Sequence, residues 1–450
     1  MSRIIIKNLC SITNFEMSIK NFNLIIGEQA SGKSTICKAI CFFRIIKENL
    51  IKDKIVNYIL NKKIKDKNSI KINKENSISI IKEMDIMIND IFSGLFGTLN
   101  NIDNKLYLKY EYIDDIYIEI KIKSNNNKNS LVINYSKKVK QFLYKLYSNY
   151  LIEDIFHKSF KDFNNIINEI LLEINNFFSD DIETYYIPAT RSSFLLFNNL
   201  KTRLGYNDMD LLNLYFFRLI EPLQNIFGND IKKILFNKLN NSNTFKSDFE
   251  NMYNKSIKYL NGEYIHKNGF DYIKLLEKYG KKIIPINYIS SGQQEILWLL
   301  NILLELMVNE EKSFIIIEEP EAHLYPKMQK EIIDFIVNFM NITESIVLIT
   351  THSPYILTSC NNLLYAGKLK SKSDKNKKNV DKLIGKYGTI NPKEINAIQL
   401  SLRKNKGGTR FINLLNKDKS QIKAEKIDEI SNSINEIYTK LFDMELNDNE

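Results

Sequence analysis

The sequence predicts an α/β fold: a mixed sheet flanked by helices, an antiparallel β subdomain beside it, and a helical insertion. Three observations carry this expectation. The apolar run Phe22-Asn23-Leu24-Ile25-Ile26 passes directly into a glycine-bearing loop and then a helix from Ser34 to about Leu50. The run Phe314-Ile315-Ile316-Ile317 lacks polar alternation, as a strand covered on both faces should. Strands and helices alternate from 283 to 366, with a further strand at Ile346-Val347-Leu348-Ile349.

A chain of 450 residues with 44 % hydrophobic content can form two or three packed units around a sizeable core. The most apolar stretch, Ile296 to Val308, contains Asn301 and Glu305. It falls short of the roughly 20 residues that span a bilayer. The opening Met1-Ser2-Arg3-Ile4-Ile5-Ile6-Lys7 is too short in apolar residues for a signal peptide, so a cytoplasmic location with no membrane partner is expected. Cys10, Cys37, Cys41 and Cys360 form no C-x-x-C pair, which indicates neither a zinc site nor a disulfide framework. The net charge of +10 suits a nucleic-acid partner, so DNA is a candidate. Yet only seven of the 63 basic residues are arginine, and lysine, asparagine and isoleucine abound everywhere, as biased codon usage would also give.

In chain order, residues 2–9 are β-branched and read as a strand ahead of the run at 22–26. Residues 51–92 read as helical with a polar interruption near 66–76. The alternation in 105–123 reads as a hairpin, Asn125 to Ser130 as a turn, and 131–135 as another strand. Residues 140–178 read as amphipathic helix, and Thr184 to Ile187 as a short strand ending at Pro188-Ala189-Thr190-Arg191. Residues 193–280 read as mostly helical. Residues 368–382 read as a lysine-rich linker, and 383–446 as short strands and a closing amphipathic helix from Ala424 to Phe442. The domain boundaries that follow are 1–190 and 283–366 for two lobes, 191–282 for a helical insertion, and 367–450 for a basic linker with an α/β extension.

Four motifs carry chemistry. The first is Gly27-Glu28-Gln29-Ala30-Ser31-Gly32-Lys33-Ser34-Thr35, which matches G-x-x-x-x-G-K-[ST] between a buried strand and a helix. Its glycines let backbone N–H groups wrap a phosphate chain at a helix N-terminus. Lys33 reaches the β- and γ-phosphates and the Ser34 hydroxyl ligates Mg2+. The second is Glu318-Glu319-Pro320-Glu321-Ala322-His323, which follows the run 314–317 and sets carboxylates at the sheet edge. Glu318 would serve the magnesium shell, through water, and Glu319 would orient or deprotonate the attacking water.

The third motif is Ser290-Ser291-Gly292-Gln293, which opens the helix Ile296 to Met307. It reads as a second anion site or as an ordinary helix cap. The fourth is Thr350-Thr351-His352-Ser353-Pro354, where a strand delivers His352 to the same edge for a γ-phosphate contact. His323 would brace the turn after Glu319, and Arg191 would either reach phosphate or make a structural ion pair. His157 and His266 carry no signal.

In this order the four motifs resemble those of the ABC-type ATPases: Walker A, signature, Walker B and switch histidine. With Tyr186-Ile187-Pro188-Ala189-Thr190-Arg191 and Glu318-Glu319-Pro320-Glu321-Ala322-His323-Leu324-Tyr325-Pro326, the sequence is similar to the RecF-like and overcoming-lysogenization-defect (OLD) group of AAA-type ATPases. The resemblance implies a P-loop NTPase with an ABC-type head, ATP as substrate and Mg2+ as cofactor. It implies an ATP-dependent homodimer or higher oligomer in which Ser290 and Gly292 contact the γ-phosphate on a partner subunit. Two positions depart from the family pattern: Glu318 stands where Asp is frequent, and Ser291 replaces a glycine. No Toprim nuclease is expected after His352. The resemblance further implies a separately encoded effector, a nuclease or toxin, in bacterial anti-phage defence or DNA maintenance. The alternative is a slowly hydrolysing ATP-bound scaffold that senses a protein trigger and holds such an effector.

Overall fold

The structure is a computed structural model that describes residues 2–51, 74–125, 128–150, 160–193, 210–228, 243–280, 282–402, 408–416, 418, 420–423 and 435–441. The chain opens with β1 (Arg3–Leu9), β2 (Ile12–Ser18) and β3 (Phe22–Gly27), followed by helix α1 (Lys33–Ile45), which ends in a π-helical turn, Ile46–Ile51. Helix α2 (Lys74–Phe96) leads to the meander β4 (Tyr107–Ile113), β5 (Ile116–Asn125) and β6 (Lys128–Tyr135). Helices α3 (Lys137–Tyr150) and α4 (Phe160–Phe178) precede β7 (Glu183–Ile187).

Helices α5 (Leu211–Gly228) and α6 (Asn243–Leu260) lead into β8 (Gly262–Lys267), β9 (Phe270–Leu275) and β10 (Ile283–Pro285). Then come α7 (Ser291–Val308), β11 (Ser313–Glu318), α8 (Pro326–Thr343), β12 (Ile346–Thr351), α9 (Pro354–Lys370), α10 (Asp374–Ile384), β13 (Ile395–Leu402) and β14 (Thr409–Asn413).

Three sheets result. The central one has six strands in the order β14-β13-β3-β12-β11-β7, parallel except for the antiparallel edge strand β14. The second has five antiparallel strands, β2-β1-β4-β5-β6. The third is the antiparallel trio β10-β9-β8. Strand pleating sorts the central sheet's residues between two cores. Ile315, Ile317, Val347 and Ile349 face a core shared with α7, α8 and α9. Phe314, Ile316 and Leu348 face a second core shared with α1, α2 and the five-stranded sheet. Both faces are therefore buried, which is why β11 carries the apolar run 314–317 and β3 is apolar but for the buried Asn23.

The mixed sheet and the antiparallel subdomain are as the sequence predicts, but several elements differ. The mostly helical reading of 193–280 misses the hairpin β8–β9. Its loop is Asn268-Gly269, with φ of 53° and 78°, the two-residue turn that matches strand twist. The lysine-rich stretch 368–382 is not a linker: α9 runs to Lys370, and Ser373 caps α10 through the Asn376 N–H. Of the helix expected over 140–178, residues 140–150 and 160–178 are helical, and 151–159 lie outside the described residues. Of the helix expected over 51–92, residues 52–73 lie outside them, as do 424–434 of the closing helix, which is helical over 435–441. His157 lies outside them too.

Candidate nucleotide site

Because β3, β12, β11 and β7 run parallel, their C-terminal ends share one sheet edge. Gly27, Glu318, Thr351 and Ile187 end the four strands there, and open α/β sheets bind ligands at this edge. Beyond Gly27 the chain turns through Gly32, with φ 96°, into α1. No side chain caps α1 and no acidic residue sits in its first turn, so its N–H groups and dipole are free for an anion. The loop is packed from behind: a Cβ on Gly27 would lie 2.6 Å from the Leu400 carbonyl oxygen of β13 and 2.7 Å from Ser31 Oγ. Thr409 Oγ1 donates to the Ser31 carbonyl at 3.0 Å. Glu28, Gln29, Ala30 and Ser34 are exposed and Thr35 is half-buried.

Lys33 is 5 % exposed. Its Nζ donates to the carbonyls of Gly27 and Glu28, each at 3.0 Å, and lies 2.8 Å from His352 Nε2. Burial pulls its pKa down, and Glu319, Glu321 and Glu318 oppose that shift. His352 Nε2 is also 3.0 Å from Glu319 Oε1. One ring nitrogen cannot accept from Lys33 and donate to Glu319 at once, so a phosphate entering here competes for only one of the two contacts.

Glu319 has φ 44° and donates its N–H to the Thr350 carbonyl at 3.0 Å. Glu321 Oε1 accepts from Thr351 Oγ1 at 2.6 Å and from the His352 N–H at 2.8 Å, which fixes the loop carrying His352. Glu318 is 6 % exposed, and its Oε1 has no hydrogen-bond partner among the described residues. Tyr186 lies near enough that burial and the Glu318 charge push its hydroxyl well up. A buried carboxylate oxygen left unfilled beside a phosphate loop fits a hard divalent cation such as Mg2+.

Arg191 is fully buried and does not point to the phosphate loop. It donates to the carbonyls of Pro188 at 3.1 Å, Glu318 at 2.7 Å, Glu319 at 2.9 Å and Glu295 at 2.9 Å. It also pairs with Glu295 Oε2 at 3.2 Å. Of the two sequence readings the ion pair is the observed one. Breaking a buried pair from one side costs about 3–5 kcal/mol, because the other charge stays buried.

Ser290 caps α7 in a capping box with Gln293: its Oγ accepts the Gln293 N–H at 3.3 Å, and Gln293 Oε1 accepts the Ser290 N–H at 3.0 Å. Ser290 and Ser291 are exposed. Among the described residues no hydrogen bond joins Ser290, Ser291, Gly292 or Gln293 to the phosphate loop of the same chain. Gly292 packs against the turn after Glu319, where a Cβ would lie 3.1 Å from the His323 carbonyl. His323 Nδ1 is 3.2 Å from Glu295 Oε1, so it braces that turn against α7. The structure thus gathers Lys33, Glu318, Glu319 and His352, and leaves Ser290 and Ser291 exposed with Gly292 and Gln293 half-buried.

Sequence reasoning missed Glu321, Glu295 and Thr409. Glu321 stood in plain view in the acidic turn. Thr409 carries no local signal, since it meets Ser31 across 378 residues. No helix among the described residues is long and apolar enough to cross a membrane.

Residues 1–357 match the AAA ATPase domain family. No curated protein matches the chain. Among solved structures, "Crystal structure of the SmcHead bound to the C-winged helix domain of ScpA" is similar at 14 % identity, covering 92 % of this chain and 96 % of that one, with a TM-score of 0.41. The "SMC head domain from Thermotoga maritima" is similar at 10 % identity, covering 91 % and 97 %, with a TM-score of 0.35.

Proposed function

The chain belongs to the AAA ATPase domain family and is an ATPase, and from that premise we propose that it hydrolyses ATP as a dimer, with two nucleotides held between the phosphate loop of one subunit and the signature of the other. The observation that carries the site assignment is the convergence of Lys33, His352 and Glu319 through His352 Nε2 at 2.8 and 3.0 Å. Lys33 exchanges the Gly27 and Glu28 carbonyls for the β- and γ-phosphates, while the uncapped N–H groups of α1 cradle the chain. His352 follows the γ-phosphate, and Glu319, freed from His352, orients the attacking water and accepts its proton. Mg2+ would neutralise charge developing on the phosphates; Ser34 would hold it directly and Glu318 through water. Ser290, exposed and already a helix cap, offers its end of α7 to a γ-phosphate from outside.

Closing and opening of the dimer would gate a DNA or protein partner, including a separately encoded nuclease or toxin in anti-phage defence or DNA maintenance. The dimer is tested with Ser290→Arg, which places a bulky cation at the exposed start of the signature. The variant should bind a fluorescent ATP analogue as the wild type does and fail to dimerise with ATP in light scattering. A variant that still dimerises with ATP would show that the signature does not act across subunits.

A further inference from the structure

We infer that Arg191 and Glu295 form a buried positioning couple that links the signature end of α7 to the catalytic turn at Glu318 and Glu319. The inference rests on the role of Glu319 proposed above. The backbone at Glu319 is left-handed, with φ 44°, a conformation that non-glycine residues hold only when their surroundings enforce it. At this turn the carbonyls of Glu318 and Glu319 both meet one guanidinium, Nη1 at 2.7 Å and Nη2 at 2.9 Å. The third arm of the same guanidinium, Nε, donates to the Glu295 carbonyl at 2.9 Å and pairs with Glu295 Oε2 at 3.2 Å. Arg191 is 0 % exposed and Glu295 1 %.

Glu295 sits one turn into α7, five residues after the cap Ser290. Its second oxygen lies 3.2 Å from His323 Nδ1, on the far side of the acidic turn. The catalytic turn is thereby clamped from both flanks to the first turn of the signature helix. A planar fork with donors on three sides makes these contacts together; a lysine ammonium reaches a subset. A shift of α7, when its exposed end engages a nucleotide on a second copy of this chain, moves Glu295 and with it the backbone that aims Glu319. The guanidinium is engaged by the carbonyls of Pro188, Glu295, Glu318 and Glu319 and by the Glu295 carboxylate, so its effect is to position the turn and belongs to the turnover step.

The test compares Arg191→Lys, Glu295→Gln, the double variant and Glu319→Gln, measuring kcat, KM for ATP, nucleotide affinity and melting temperature. Glu295→Gln keeps the shape and one hydrogen bond while removing the charge. The expected result is a kcat about tenfold lower in each single variant, with ATP affinity within about threefold of wild type. The double variant should be no slower than the slower single, because the two residues act as one unit. If Arg191→Lys does not fold, Glu295→Gln and His323→Ala, whose imidazole is 65 % exposed, carry the test. Unchanged kcat in Glu295→Gln, or kcat and affinity falling by one common factor, overturns the couple. Wild-type hydrolysis by Glu319→Gln overturns instead the role of Glu319 on which the couple rests.

Discussion

Lys33 is in tension before nucleotide arrives. Its ammonium is buried, and three carboxylates only partly offset the cost of that burial. Its native pKa is depressed below the unfolded value near 10.4, so the unfolded chain binds more protons between those two values. Stability from this residue therefore rises as pH climbs through that window, and at neutral pH the charge opposes folding. Lys33→Met should abolish the gain in melting temperature that ATP gives the wild type. Without nucleotide, the difference in stability between wild type and variant should move in favour of the wild type as pH rises toward the unfolded value near 10.4. Thermal denaturation across that range, with and without ATP, measures both; a Lys33→Met protein still stabilised by ATP contradicts the assignment. The residues of this site were legible because each motif is local, a β-run ending in a glycine, an acid or a histidine. The contacts of Arg191 were not, since its partners lie up to 128 residues away.

The elements that differ from expectation are those whose residues carry two competing signals. In 262–275 the alternation of β8 and β9 around Asn268-Gly269 was a hairpin signal, but the helices α5 and α6 before it set the expectation. In 368–382 a run of lysines suggested a solvated linker, although lysine is a good helix former and Ser373 supplies a cap. The close approach of α9 to the chain after α10 was beyond local reading. A Cβ on Gly367 would collide with the Ile390 carbonyl oxygen, and Ile390 donates its N–H to Leu363 in the same helix at 3.1 Å. Gly367→Ala should therefore destabilise the protein by about 1–3 kcal/mol, as overpacking does. Denaturant unfolding should show the loss while KM for ATP stays at the wild-type value. A raised KM with unchanged stability would mean that this helix contact serves the site and not the fold.

Across the whole molecule, the central sheet is assembled from four separated stretches, 22–27, 183–187, 313–351 and 395–413. The family match ends at 357, yet β13 lies directly beside β3, in register from Ile395 with Phe22 to Leu400 with Gly27. The strand that leads into the phosphate loop is thus central only because a late strand covers it. The sequence predicts short strands in this region but not their place, since parallel pairing across some 370 residues leaves no periodic trace. Removing residues from 395 onward should expose the edge of β3 and give an aggregating chain, read by size-exclusion chromatography. A monodisperse truncated protein that binds ATP normally would show that β13 is dispensable to the loop.

In the proposed mechanism Glu319 is the base of a site formed by Lys33, His352 and the acidic turn. The most direct measurement of this role is phosphate release by Glu319→Gln under single-turnover conditions, run beside gel filtration in ATP and Mg2+. The substitution keeps the shape of the side chain and removes the proton acceptor, and a positioned base contributes roughly 10²–10⁴-fold. The expected result is wild-type ATP affinity, hydrolysis at least about tenfold slower, and accumulation of the ATP-bound dimer. Hydrolysis at the wild-type rate would contradict the account and require another base.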